Sequence, residues 1–135
     1  MSAAYAAMNT CVLSPGKVAV LVVEDEILMR AVLADELRDE GYLVIEAASG
    51  DEALSVLQSN MTVDIVITDK RMPGAFDGAA LAYLIRTEHP NLKVIMISGD
   101  TPDQNLRQVL DGYFRKPCDI SALITCLRGL SPKRR

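Results

Sequence analysis

The chain has 135 residues, of which 50% are apolar and 24% charged, and it carries a net charge of -4. That size and mixture suit one compact domain with its own core, and the acidic balance argues against non-specific binding to nucleic acid. No apolar run approaches the roughly 18–20 residues needed to span a membrane.

Met1 to Gly16 stands apart. It is rich in alanine and ends in Ser14-Pro15-Gly16, a turn-like boundary. No Lys or Arg precedes Lys17, and Asn9 and Thr10 interrupt the apolar residues, so it does not read as a signal peptide. The expectation is a flexible extension over residues 1–16, a domain over 17–130 and a basic tail over 131–135.

Val18 to Val23 is a short β-branched apolar run, the pattern of a strand buried on both faces. Glu26 to Glu40 shifts to helical spacing, with Met29, Leu33 and Leu37 recurring every fourth residue, and Gly41 marks the stop. Tyr42 to Glu46 reads as a second strand. Ser49-Gly50-Asp51-Glu52 is a capping box that opens a helix to about Gln58. Asp64 to Thr68 is a third strand, Gly78 to about Glu88 a helix, and Lys93 to Ile97 a fourth strand. Thr101-Pro102-Asp103-Gln104 reads as a helix start with Pro at the first helical position, and that helix runs only to about Leu110. Gly112 to Arg115 is a weaker fifth strand. Asp119 caps a last helix with Ile120, Leu123, Ile124 and Leu127 facing inward and Gly129 at its end.

Five strands alternating with five helices predict an α/β fold, a three-layer doubly wound parallel sheet. The three cysteines, Cys11, Cys118 and Cys126, form no Cys-x-x-Cys pair and are odd in number. That fits a reducing compartment, with a cytoplasmic location expected.

The informative residues follow the strands. The first strand runs into Glu24-Asp25-Glu26, the third into Asp69, the fourth into Ser98-Gly99-Asp100, and the fifth into Lys116-Pro117. In an open α/β sheet the carboxyl ends of the strands share one edge, where ligand sites lie. Carboxylates gathered there repel one another unless a cation compensates, and a hard divalent ion with oxygen ligands, Mg²⁺ first and Mn²⁺ next, is the natural partner. Glu24 to Glu26 also suit a plain helix cap. Lys116 is the cation placed to meet Asp69, either as an ion pair or beside a phosphoryl group whose charge is spread over three oxygens. Ser98 adds a hydroxyl donor, and the Gly99 N–H can approach closely.

Those pieces, in order, resemble the receiver domain of bacterial two-component response regulators, of the stand-alone type. The matching residues are Val23-Glu24-Asp25, Asp69-Lys70-Arg71-Met72-Pro73, Asp77-Gly78, Ser98-Gly99 and Tyr113-Phe114-Arg115-Lys116-Pro117, from Lys17 to about Leu130. The resemblance implies a flavodoxin-like sheet of order 2-1-3-4-5. It implies that Asp69 accepts a phosphoryl group from a phosphohistidine of a sensor histidine kinase or histidine phosphotransferase. Asp25, Asp69 and the backbone carbonyl of Arg71 would hold Mg²⁺, with Glu24 acting directly or through water. Lys116, Ser98 and Gly99 would hold the phosphoryl oxygens, Tyr113 would turn inward as the switch, and Pro117 is the candidate for a cis peptide. The role is a signalling phosphoacceptor rather than an enzyme, acting on a downstream protein and not on nucleic acid or membrane, with a homodimer through the fourth helix, fifth strand and fifth helix as one output.

Some features depart from the family's usual pattern. Glu24 stands where Asp is commoner, an extra residue precedes Asp77-Gly78, and the stretch from Ser98 to Lys116 is a few residues short. Arg71 lies two residues beyond Asp69, where side chains are expected to tune loss of the phosphoryl group. Other readings stay open: a phosphorylation-independent interaction module, or a receiver excised from a hybrid kinase. A haloacid-dehalogenase-like phosphatase would place its nucleophile after the first strand with a second Asp two residues on. An FMN module would need a hydroxyl- and glycine-rich loop where Glu24-Asp25-Glu26 stands. His89, the only histidine, is expected in a loop far from Asp69.

Overall fold

The computed structural model describes residues 16–132. Apart from Gly16, Ser131 and Pro132, the expected extension and basic tail lie outside the described residues, as does Cys11. Five strands, β1 (Ala19–Val23), β2 (Leu43–Ala47), β3 (Ile65–Asp69), β4 (Lys93–Ser98) and β5 (Gly112–Arg115), form one sheet in the order β2-β1-β3-β4-β5. Every adjacent pair is parallel. Five helices connect them: α1 (Ile27–Asp39), α2 (Gly50–Gln58), α3 (Gly78–Glu88), α4 (Gln104–Val109) and α5 (Ile120–Leu130).

Alternation along the strands creates two cores, because successive strand side chains point to opposite faces. Leu21, Val23, Val66, Val94 and Met96 face α2, α3 and α4 and pack on Ala53, Leu81, Ile85 and Leu106. Val20, Val22, Ile65, Ile67, Ile95 and Ile97 face α1 and α5 and pack on Leu37, Leu123 and Leu127. The layers are thus helix, sheet, helix, as the alternating pattern of elements predicts. All five residues of β1 are buried.

Three local expectations need correction. The helix expected from Thr101-Pro102 begins at Gln104, because Asp103 caps it instead, its carboxylate accepting from the Leu106 N–H at 2.8 Å. Asp is the stronger cap of the two, so the start moves two residues on and leaves Pro102 outside the helix. The last helix passes through Gly129 and ends at Leu130, with the Ser131 hydroxyl donating to the Leu127 carbonyl at 2.6 Å. Gly129 has no left-handed backbone to mark a stop. The stripe of Met29, Leu33 and Leu37 does not stay inward: Leu37 is fully buried, while Met29 is 46% exposed. A four-residue spacing drifts about 40° per step from the helix period, so eight residues turn the stripe well off the core. Gly41 does end α1, with φ +96°.

At the amino edge of the sheet, Arg86 on α3 ties the connection before β5. Its guanidinium donates to the Val109 carbonyl at 3.0 Å and to Asp111 at 2.9 Å. Asp111 in turn accepts from the Val94 N–H at 2.8 Å. His89 caps the end of α3 at this edge, opposite to Asp69.

Candidate functional site

The parallel register brings four strand ends together. Val23 lies beside Thr68, Asp69 beside Ile97, and Ser98 beside Arg115. The residues after β1, β3, β4 and β5 therefore share one edge. Among the described residues, Glu24, Asp25 and Asp69 form the one acidic cluster able to hold an ion, with a ligand atom from each within 4.8 Å of the others. All three offer hard carboxylate oxygens, a donor set that suits Mg²⁺. Lys116 reaches in from the end of β5, its Nζ 2.8 Å from Asp69 Oδ2 and 3.7 Å from Glu24 Oε1. The Lys116–Pro117 peptide is cis.

Glu24 is only 8% exposed. Burial pushes its carboxyl pKa up, and Asp69 adds to the rise, while the Glu26 N–H bound to its Oε2 and the Lys116 charge partly offset it. Burial works against the Lys116 ammonium, but its hydrogen bond to Asp69 and the charges of Asp69 and Glu24 outweigh that and hold its pKa above the ordinary value. Lys116 thus serves as the internal counter-ion of a crowded acidic site. Glu26, although adjacent in sequence, caps α1 instead, accepting from the Met29 N–H at 2.8 Å. The three acids that the sequence groups together divide between site and cap.

A shallow cavity opens over Asp69, lined by Arg71, Ser98, Gly99, Asp100 and Lys116. Ser98 is 2% exposed, and its hydroxyl donates to Asp100 Oδ1 at 2.7 Å. The Arg71 guanidinium donates to Asp100 Oδ2 at 2.8 Å. Those two bonds, Arg71 first, hold the Asp100 carboxyl far below the usual range. Tyr113, half-buried, has its hydroxyl on the Asp100 carbonyl at 2.8 Å. The sequence gives Asp100 no role of its own; its only signal there is an acid two residues beyond a strand-end serine.

Two further features have no clear mark in the sequence. Gly78 at the start of α3 lies so close to β3 that a Cβ there would stand 1.7 Å from the Asp69 carbonyl oxygen. The first turns of α1 also leave large apolar side chains in solvent, Ile27 at 69%, Leu28 at 72% and Val32 at 59% exposure. A groove beside them is lined by Leu28, Val32, Ile97, Lys116, Pro117 and Ile120, so the apolar surface adjoins the acidic site. Cys118 and Cys126 pack at the edge of the core, and burial pushes both thiol pKa values up, which makes them poor nucleophiles. Among the described residues no helix is long and apolar enough to cross a membrane.

Comparison with known proteins gives a consistent picture. The family model of the response regulator receiver domain matches residues 20–128. Sensor kinase CckA of Brucella abortus is 36% identical over 124 residues, which is 88% of this chain and 13% of that protein. Response regulator protein FleR of Pseudomonas aeruginosa is 36% identical over 109 residues, 78% of this chain and 23% of the relative. The chain therefore spans less than a quarter of the length of either. Among solved structures, response regulator protein TrrA from Thermotoga maritima, in complex with Mg²⁺-BeF, superposes with a TM-score of 0.77 at 31% identity, covering 84% of this chain and 98% of that one. A response regulator receiver protein from Pseudomonas putida superposes with a TM-score of 0.78 at 27% identity, covering 86% and 99%.

Proposed function

The chain belongs to the response regulator receiver family, and from that premise we propose that Asp69 is its phosphoacceptor and that the phosphoryl group changes what the domain binds. The observation that supports this most is that Asp69 belongs at once to the three-carboxylate cluster and to the 2.8 Å pair with Lys116. A nucleophile, a cation site and a fixed ammonium then meet at one side chain. Phosphoryl transfer needs little more, because it is mostly positioning and charge neutralisation.

Glu24, Asp25, Asp69 and the Arg71 carbonyl would hold the ion. Mg²⁺ bound there would neutralise charge on the carboxylates and on the incoming phosphoryl oxygens. An Asp69 oxygen bonds to phosphorus as the P–N bond of a partner's phosphohistidine breaks, and the imidazole leaves with the electron pair. Lys116 passes from Asp69 to a phosphoryl oxygen, and Ser98 and the Gly99 N–H bind the others. The chain's own His89 lies at the opposite edge of the sheet and is not the donor. We take residues 17–130 as the working unit. The downstream target is a protein, read through the surface of α4, β5 and α5.

The exposed apolar turns of α1 fit the donor's docking surface, because they adjoin the cavity that opens over Asp69. Exposed Leu and Val beside a polar site are the kind of patch that marks a protein interface. Leu28→Asp and Val32→Asp are each expected to slow phosphotransfer from a phosphohistidine protein roughly tenfold, the size of one modest interface contact. Labelling by acetyl phosphate should not change, since a small donor needs no docking. Rates with the two donors, measured by label on Asp69, check this. Equal loss with both donors would refute the docking role, and label on another residue would refute Asp69.

A further inference from the structure

We propose that Asp100 is a latch that withholds Ser98 and Arg71 from the phosphoryl site until a phosphoryl group displaces it. This rests on the reading of Asp69 as phosphoacceptor and adds a positioning residue to it.

A serine hydroxyl has one proton, so it donates to one acceptor at a time. In this structure the Ser98 proton goes to Asp100 Oδ1 at 2.7 Å, and the Asp100 N–H donates back to Ser98 Oγ at 3.2 Å. Ser98 therefore cannot serve a phosphoryl oxygen without leaving Asp100. The other carboxylate oxygen holds Arg71 at 2.8 Å. Lys70 stands 3.6 Å from Oδ1, a second cationic contact. Asp100 thus holds two groups that line the Asp69 cavity, Ser98 and Arg71, pairs with Lys70 as well, and lines that cavity itself. Charge-assisted bonds of this kind are stronger than neutral ones.

A phosphoryl group on Asp69 offers the same donors three anionic oxygens. It also repels the Asp100 carboxylate on the same cavity wall. Donors and charge both favour exchange: Ser98 and Arg71 turn to the phosphoryl group, and Asp100 is released. Tyr113 reports the event, because its hydroxyl is bound to the Asp100 carbonyl at 2.8 Å. One residue therefore couples Arg71 beyond β3, Ser98 at the end of β4 and Tyr113 on β5.

The test is the Mg²⁺-dependent affinity for beryllofluoride, which mimics a phosphoryl group on a carboxylate. Asp100→Ala is expected to bind roughly fivefold or more tightly than the wild type, a coupling of ordinary size. Asp100→Asn, which keeps an acceptor for Ser98 but drops the charge, should fall between the two. In a Ser98→Ala background the gain from Asp100→Ala should shrink to less than half. In the free protein with Mg²⁺, Asp100→Ala should move the Ser98 and Gly99 amide resonances toward their beryllofluoride-bound positions, with the Tyr113 ring signals following. An equal gain with and without the Ser98 hydroxyl, or unmoved resonances, would show simple charge removal and overturn the latch alone. A wild type that binds no beryllofluoride would overturn the phosphoacceptor reading together with the latch.

Discussion

Lys116→Met is expected to weaken beryllofluoride binding and slow phosphorylation by acetyl phosphate about 100-fold, the usual cost of removing one fixed charge donor from a developing anion. Methionine keeps most of the apolar stem and removes only the ammonium. The wild-type Nζ lies 2.8 Å from Asp69 and 3.7 Å from Glu24, with the lysine side chain 27% exposed, so solvent cannot fully replace it. Mg²⁺ should respond in the opposite sense. Lys116 is the internal cation that competes with the metal for Asp69 and Glu24, and without it the cluster is more negative and binds Mg²⁺ at least as tightly. Calorimetric titration of Mg²⁺, beside the rate of mass gain with acetyl phosphate, separates the two effects. Parallel loss of both would mean that Lys116 merely holds the fold.

Gly78→Ala is expected to cost about 3 kcal/mol of stability, at the upper end for overpacking, because the clash is with backbone. The added Cβ would stand 1.7 Å from the Asp69 carbonyl oxygen, 2.8 Å from its carbon and 2.9 Å from Thr68 Oγ1. The two nearest of these are backbone atoms. Thr68 is fully buried, and its hydroxyl donates to that same carbonyl at 2.8 Å. Relief therefore requires β3 or the start of α3 to move, and Asp69 moves with it. Urea unfolding without metal should show the midpoint falling by about 1.5 M, given the slope typical of a domain this size. Gly129→Ala is the control. A Cβ there meets nothing within 4 Å, and helix propensity alone should raise stability by about 0.5–1 kcal/mol. Similar midpoints for the two variants would refute the close approach.

The sequence is most legible where one residue type has one use. Apolar β-branched runs such as Val20 to Val23 have little alternative to a buried strand, and a parallel sheet then sends every strand's last residue to one edge. That reasoning alone places Glu24, Asp25, Asp69, Ser98 and Lys116 together. What stays hidden depends on distances between elements. Four-residue spacing marks Leu37 as inward but not where the sheet beneath α1 ends, so it does not show the outward turn of Ile27, Leu28 and Val32. Asp103 and Thr101 can both cap a helix, and the folded chain uses the stronger of the two, Asp103, on the Leu106 N–H. Ser98 has several acceptors within reach in principle, and only the folded loop shows that Asp100 takes its proton. The close approach of Gly78 likewise has no signal beyond the glycine itself.

The most direct test of Asp69 as phosphoacceptor is intact mass after incubation with acetyl phosphate and Mg²⁺, for the wild type and Asp69→Asn. The expected result is one added phosphoryl group on the wild type, lost when Mg²⁺ is chelated and absent from the variant. A wild type that gains no mass, or an Asp69→Asn protein that gains as much, would contradict it and with it the phosphoryl-binding roles of Lys116 and Ser98 and the latch role of Asp100.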